Sequence, residues 1–170
     1  MQLSLRKCVI LFMNNQFSFS YTFLRTINEL NSDDKLLVNK AIEAMNNAYA
    51  PYSKFQVGAS LKLINGEIIQ GNNQENIAYP SGLCAERVAL FYAGAIFPEE
   101  AIVTLCIVAK GDLVPKHSIL SPCGSCRQVM LESESRQKTP IRVILVNQDE
   151  SVIIVESVKF FLPFGFGPDK

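Results

Sequence analysis

Three of the five cysteines, Cys84, Cys123 and Cys126, stand in two short segments whose residue types suit a bound metal ion: Ser81-Gly-Leu-Cys-Ala-Glu-Arg-Val88 and Ser121-Pro-Cys-Gly-Ser-Cys-Arg-Gln128. Each segment opens on small, turn-prone residues and continues as a helix-forming run, so the thiols fall at helix starts. There the unpaired N–H groups and the helix dipole favour the thiolate, which is the form that binds metal. Cys123 and Cys126 are three apart, which puts both sulfurs on one helical face. With Cys84 they offer three soft ligands to a zinc ion, and no fourth protein ligand is evident. Three protein ligands and an open position are the pattern of catalytic zinc, whereas structural sites are usually filled by four. Glu86, two residues beyond Cys84, points to another side of the first helical turn and can reach the open position without ligating. A lone Cys-x-x-Cys also suits a redox pair or a structural zinc, but neither needs a glutamate at that place. His117, the only histidine, sits in a loop six residues before Cys123 and reads as a solvated side chain rather than a fourth ligand.

The combination of Cys84-Ala-Glu86 with Pro122-Cys-x-x-Cys126 resembles the signature of the zinc-dependent nucleoside deaminases. Cysteine at position 84, where the wider superfamily has histidine, is similar to the compact cytidine deaminase branch. The resemblance extends over roughly residues 47–167 and includes Ala50-Pro-Tyr-Ser-Lys-Phe-Gln-Val-Gly-Ala59, Gly71-Asn-Asn-Gln-Glu-Asn-Ile-Ala-Tyr-Pro80 and a terminal Phe166-Gly-Pro168. It implies hydrolytic deamination of cytidine and deoxycytidine with release of ammonia, one zinc per chain, and the fold of that family. In such a reaction zinc lowers the pKa of a bound water from 15.7 to about 7 in the best cases. Glu86 takes the proton from that water, passes it to ring nitrogen 3 of the cytosine and later protonates the departing ammonia.

Further roles follow from the resemblance residue by residue. The backbone of Ala85 and the carbonyl of Ser121 meet the pyrimidine edge, and Phe55 lines the base pocket. Asn73 and Glu75 hold the ribose hydroxyls, with Asn76 supporting the loop. A homotetramer is implied, with a homodimer as the smaller alternative, and Ile77, Ala78, Tyr79 and Phe166 then lie near a neighbour's ligand. Ile77 and Ala78 depart from the commonest residues of the family at those places. Read from residue types alone, Asn73 and Glu75 serve equally well as loop ties, Phe55 as core filling, and Glu86 as a solvated helix-start carboxylate. Two other readings share the metal motif: a deaminase for a cytosine-bearing antibiotic of the blasticidin type, and a non-catalytic zinc-stabilised binding subunit.

Three thiolates leave a zinc site with a formal charge of −1, which makes a bound water less acidic than three imidazoles would. Something must draw charge off the sulfurs. The helix N-termini do part of this, and Arg87 or Arg127 is near enough in sequence to donate to a ligand sulfur. Arg87 as a surface ion-pair partner is the competing reading.

The totals bound what else the chain does. At 170 residues it is the size of one domain with enough length for a real core. Residues 25–170 read as one catalytic domain and residues 1–24 as an N-terminal extension. Lys plus Arg and Asp plus Glu are both 16, with no basic stripe in which aromatics alternate with arginines, so a polynucleotide substrate is disfavoured. Arg6-Lys7 followed by Cys8-Val-Ile-Leu-Phe-Met13 imitates a signal peptide, but the apolar run is short and no small-residue cleavage site follows it. Met13 is a candidate physiological start. No stretch approaches the roughly 20 apolar residues of a membrane span. Cys106 reads as a small buried hydrophobe, Cys8 lies near the end of the chain, and a reducing cytoplasm is implied.

The elements that must position the site follow from periodicity. Ser32-Asp-Asp starts a helix whose apolar stripe runs through Leu37, Ala41, Ala44 and Met45 to about Tyr49. Val57, Ala59, Leu61 and Leu63 alternate with Gly58, Ser60 and Lys62, the period of a half-buried strand. Asn65-Gly66 turns the chain into a partner strand over residues 67–70. Residues 84–97 form a helix apolar on almost every side, expected to be central and buried. Residues 102–109 form a strand covered on both faces, a third helix starts near Cys123, strands follow at 141–146 and 152–155, and a short helix covers 157–161. Residues 14–31 are polar and aromatic by turns and define no element by their pattern. The order implies α/β class, a three-layer α-β-α sandwich with a mixed five-stranded sheet.

Overall fold

The computed structural model describes residues 16–167. Arg6, Lys7, Cys8, the candidate start at Met13 and Pro168 lie outside the described residues. Chain order gives β1 (Thr22–Leu24), α1 (Ser32–Asn46), β2 (Gln56–Leu63), β3 (Ile68–Asn72), α2 (Ala85–Ile96), β4 (Ile102–Lys110), α3 (Gly124–Gln137), β5 (Arg142–Val146) and β6 (Val152–Val155), with 3-10 turns at Ile27–Glu29, Tyr79–Ser81 and Val158–Phe161. The strands form one sheet in the order β1-β6-β5-β4-β2-β3. Only β4 and β5 pair in parallel. The sheet is therefore mixed, as expected, but it has six strands where the sequence suggests five.

The added strand is β1, paired antiparallel with β6 in the register Thr22↔Ile154. Sheet pairing thus reaches into the stretch read as an extension. Three residues are too few to carry a strand signal of their own; their partner lies some 130 positions away, so pairing rather than local propensity defines them.

The two faces of the sheet carry separate cores. On one, α1 lays Leu37, Val38, Ala41 and Met45 against Cys106, Val108, Ile144 and Val152. On the other, Ala85, Ala89 and Leu90 of α2 and Met130 of α3 meet Ala59, Leu61, Leu105, Val143 and Leu145. The expected three layers follow. α1 begins where the sequence places it, with Asn31 as cap: its side chain accepts a hydrogen bond from the Asp34 N–H at 2.9 Å. Asp34 then pairs with Arg142 of β5 through two contacts of 2.8 Å, fastening the helix start to the sheet.

β2 departs from the half-buried reading. Gly58, Ala59, Ser60 and Leu61 are all buried, because α1 covers the face that carries the small residues. Ser60 donates its hydroxyl to the Leu37 carbonyl at 2.8 Å, satisfying the one polar group enclosed there. The alternation reported close helix approach, not solvent. A Cβ on Gly58 would lie 2.0 Å from the Ala41 carbonyl oxygen, and one on Gly71 2.6 Å from that of Ala85. Neighbouring glycines thus admit α1 and α2 from opposite faces. Gly58→Ala is expected to destabilise the fold by about 3 kcal/mol. For a domain of this size that lowers Tm by roughly 6–12 °C, measurable by thermal unfolding; an unchanged Tm would mean that the α1 backbone yields freely.

α2 also differs from expectation. Its inner face is buried at Ala85, Ala89, Leu90 and Ala93, but Phe91, Tyr92 and Ile96 each keep half or more of their surface exposed. An apolar helix is not enclosed by the described residues of this single chain.

Topology sets where the helices start. β3 and β4 both run antiparallel to β2, so they point the same way, and the chain leaves each at the same end of the sheet. The N-termini of α2 and α3 therefore converge there, outside the carboxyl ends of parallel-running strands, where α/β sheets commonly bind ligands.

Candidate metal centre and nucleoside cleft

The convergence of α2 and α3 delivers the three cysteines. Cys84 and Cys123 are the N-cap residues, both with extended backbone and neither using its side chain to cap, so their sulfurs stay free. Cys126 lies one residue past the first two positions of α3 and is fully buried. The Sγ atoms of Cys84 and Cys123 are 3.9 Å apart and those of Cys123 and Cys126 3.3 Å. All three sulfurs fall within 4.8 Å of one another, and all three are free thiols.

This donor set fits zinc. Bonds of ~2.3 Å in a tetrahedral shell place neighbouring sulfurs about 3.8 Å apart, close to the spacing observed. The three cysteines form the one group of potential ligands among the described residues, and exposed His117 is no part of it. Interaction with the neighbouring Cys126 thiol, with Arg87 and Cys123 beside it, pulls the Cys84 pKa below its ordinary value. The same proximity to Cys84, with burial and the Glu86 carboxylate nearby, pushes Cys126 up.

The two arginines part company. Arg87 directs Nη2 to Cys84 Sγ at 3.8 Å, and its Nε is buried with no partner among the described residues. An orphaned donor beside sulfurs is the mark of a site built for negative charge. Arg127 does not face the sulfurs. Its Nε donates to the Pro122 carbonyl at 2.8 Å, Nη2 to Ser121 Oγ at 2.8 Å and Nη1 to the Phe161 carbonyl at 3.2 Å. The guanidinium ties the strand-to-helix loop ahead of Cys123 to the 3-10 turn at Val158–Phe161, and sequence proximity to Cys126 overstated its role in charge.

Glu86 is 4% exposed, on the first turn of α2, and lines the same cleft as Cys84, Cys123 and Ser121. Burial raises its carboxyl pKa, and the charge of Cys84 adds to the effect. The cleft encloses about 840 Å³, within the range of small-molecule sites. Phe55, Asn73, Glu75, Asn76, Ile77, Tyr79 and Arg87 line it as well. Ala85 is fully buried and is not among the residues that line it.

Asn73 and Glu75 hold the wall together. The Asn73 side chain accepts from the Val57 N–H at 2.8 Å and donates to the Phe55 carbonyl at 2.9 Å. Glu75 Oε2 accepts from the N–H groups of Tyr52 and Ser53 at 2.9 and 3.2 Å, and Oε1 from the Ser53 hydroxyl. Burial opposes ionisation of Glu75, but the bonds from Ser53 and Tyr52 outweigh it and hold the pKa down. The loop-tying reading of both residues is thus realised in this structure, and the ties fix the turn that carries Phe55. Ala78 is exposed, and Ile77, Tyr79 and Phe166 leave 86%, 92% and 87% of their surfaces open. The Phe166 carbonyl is held to α3 by Gln128 Nε2 at 2.6 Å.

Sequence reasoning missed part of the lining. Val57, Ile107, Leu113 and Leu120 supply apolar wall. In the sequence Val57 and Ile107 carry only a strand pattern, and no local pattern marks Leu113. Leu120 adjoins Ser121, and that adjacency was the signal available.

A cluster of soft ligands, a neighbouring buried carboxylate and one apolar cleft suit a metal-assisted hydrolase. Residues 31–142 match the family model for the cytidine and deoxycytidylate deaminase zinc-binding region. The chain is 42% identical over 100 residues to a cytidine deaminase of Halalkalibacterium halodurans, spanning 59% of this chain and 71% of that one. It is 36% identical over 100 residues to a cytidine deaminase of Mycobacterium tuberculosis, with the same shares. The crystal structure of cytidine deaminase from Burkholderia pseudomallei superposes with a TM-score of 0.67 at 38% identity, covering 78% of this chain and 98% of that one. That of the M. tuberculosis enzyme gives 0.58 at 30%, covering 81% and 100%. The chain belongs to the cytidine and deoxycytidylate deaminase family.

Proposed function

We propose that the chain is a zinc-dependent cytidine deaminase that converts cytidine and deoxycytidine to uridine and deoxyuridine with release of ammonia. The observation that carries this reading is the placement of Glu86, buried on the wall of the cleft that Cys84 and Cys123 also border, with Cys126 gathered behind them. Cys84, Cys123 and Cys126 hold one zinc per chain, which when bound acidifies a water for attack on ring carbon 4. Glu86 takes the proton of the attacking water, delivers it to ring nitrogen 3 and then carries a proton to the departing amine. Arg87 offsets the charge of the thiolates from the Cys84 side. The Ala85 backbone and the Ser121 carbonyl orient the pyrimidine edge, Phe55 packs on the base, and Asn73 and Glu75 take the ribose hydroxyls with lone pairs their loop ties leave over.

The oligomer is a homotetramer in this reading, with the apolar face of α2 between copies. Ile77, Ala78, Tyr79 and Phe166 then reach a neighbour's cleft, in keeping with their exposure. Residues 25–170, together with β1 that completes their sheet, act as the catalytic domain, and four free thiols among the described residues suit a reducing cytoplasm. No described helix is long and apolar enough to cross a membrane.

Ultraviolet-followed turnover tests the activity. Purified protein assayed for zinc should convert cytidine and deoxycytidine to the uracil nucleosides with one ammonia per turnover. Zinc-loaded protein that leaves both nucleosides unchanged would remove the proposal.

A further inference from the structure

The stretch between β4 and α3, residues 111–122, brings Leu113, Leu120 and Ser121 to the cleft. It has no regular structure of its own, so something else must fix it. Its end next to Cys123 is held by Arg127, as described above. Among the described residues, its remaining polar side-chain anchors come from two consecutive residues on the turn between β5 and β6. Gln148 Oε1 accepts from the Gly111 N–H at 2.9 Å, and Gln148 Nε2 donates to the Val114 carbonyl at 3.2 Å. Asn147 Oδ1 accepts from the Leu120 N–H at 2.8 Å.

The turn that offers these amides is itself braced. Asn147 is buried and donates Nδ2 to Ser151 Oγ at 2.9 Å. Ser151 donates its N–H and hydroxyl to Asp149 Oδ1 at 3.0 and 2.6 Å. The loop also has a fixed abutment at its start: a Cβ on Gly111 would lie 2.5 Å from the Lys54 carbonyl oxygen and 3.0 Å from the Phe55 ring, so the backbone at Gly111 rests against the turn that carries Phe55. Neither Asn147 nor Gln148 lines the cleft.

We propose that Asn147 and Gln148 are positioning residues for the nucleoside: their side chains clamp the 111–120 loop so that Leu113 and Leu120 form the outer apolar wall of the cleft. This rests on the reading of the cleft as a cytidine site. The clamp acts on binding rather than on proton transfer, because it touches neither the thiols nor Glu86. Its loss frees the wall to move and lowers the fraction of molecules with a closed cleft, which raises KM and leaves kcat for the bound substrate near its original value.

The test is Gln148→Ala in the full chain, with Gln148→Glu beside it. Gln148→Ala should raise KM for cytidine about five- to tenfold, the size expected when one or two hydrogen bonds are lost. Its kcat should change less than about twofold, since proton transfer is untouched. Gln148→Glu keeps the acceptor for Gly111 and loses the donor for Val114, so its KM should fall between the two. Zinc content should equal wild type in both. Tryptic cleavage after Lys116, within the loop, gives a readout independent of turnover: it should be faster in Gln148→Ala. Faster cleavage with an unchanged KM would overturn the proposal, because the loop would be clamped without forming the wall. Equal drops in kcat and zinc would overturn it as well. Wild-type protein inactive on cytidine would instead remove the functional reading on which the proposal rests, a result separable from an active enzyme whose KM ignores position 148.

Discussion

Glu86→Gln is expected to lower kcat for cytidine by at least about 10³-fold, within the 10²–10⁴ range that a positioned proton carrier contributes, while zinc per chain and the fold remain those of wild type. Glutamine keeps the shape and fills the same buried space but can neither take nor give the proton. Burial raises the Glu86 pKa, so in metal-free protein its ionised form is disfavoured by folding. The sign is that of a raised acid: its contribution is fully present below the ordinary carboxylate range and is lost as pH rises through the folded pKa. Metal-free Glu86→Gln should therefore unfold at neutral pH no more readily than metal-free wild type, as expected when a catalytic group is held at some cost to stability. A glutamine variant with normal turnover would take Glu86 out of the mechanism.

Cys126→Ala should abolish both metal binding and activity. Cys126 is fully buried with its sulfur 3.3 Å from that of Cys123, and two thiols cannot replace three, so zinc should fall below about a tenth per chain in the purified variant, a loss in line with the coupling of metal binding to the full ligand set. Because metal binding adds to folding stability, Tm should fall toward that of chelator-treated wild type. Returning zinc should restore wild type and not the variant. Activity that survives in Cys126→Ala with no zinc bound would mean the metal is not where the sulfurs meet.

What the sequence disclosed and what it hid follow from the range of the interactions involved. The helix-start thiols and Glu86 were legible because each depends on one turn of backbone: a small-residue lead-in, an N-cap and a helix-forming run. Asn65-Gly66 and the apolar stripe of α1 are local in the same sense. β1 was not legible, since three residues become a strand only by meeting β6. The small residues of β2 carried a misleading period, because Gly58 and Ser60 mark contact with α1 rather than with water. Arg87 and Arg127 occupy similar places beside Cys84 and Cys126, and only the packing of Ser121, Pro122 and Phe161 around the second separates a donor to sulfur from a loop brace. Leu113 and the anchors at Asn147 and Gln148 belong to the cleft through contacts between distant segments, which no window of sequence contains. The exposed face of α2 shows the same limit from another side: an all-round apolar helix tells that it will be covered, not by what.

X-ray absorption at the zinc edge, on protein as purified with its metal counted per chain, bears most directly on the centre. Three sulfur neighbours at ~2.3 Å and a single lighter atom at about 2.0–2.2 Å, for one zinc per chain, are the expected result. A fourth protein ligand, whether a further sulfur or the His117 imidazole, or no stoichiometric zinc at all, would contradict an open metal corner beside Glu86.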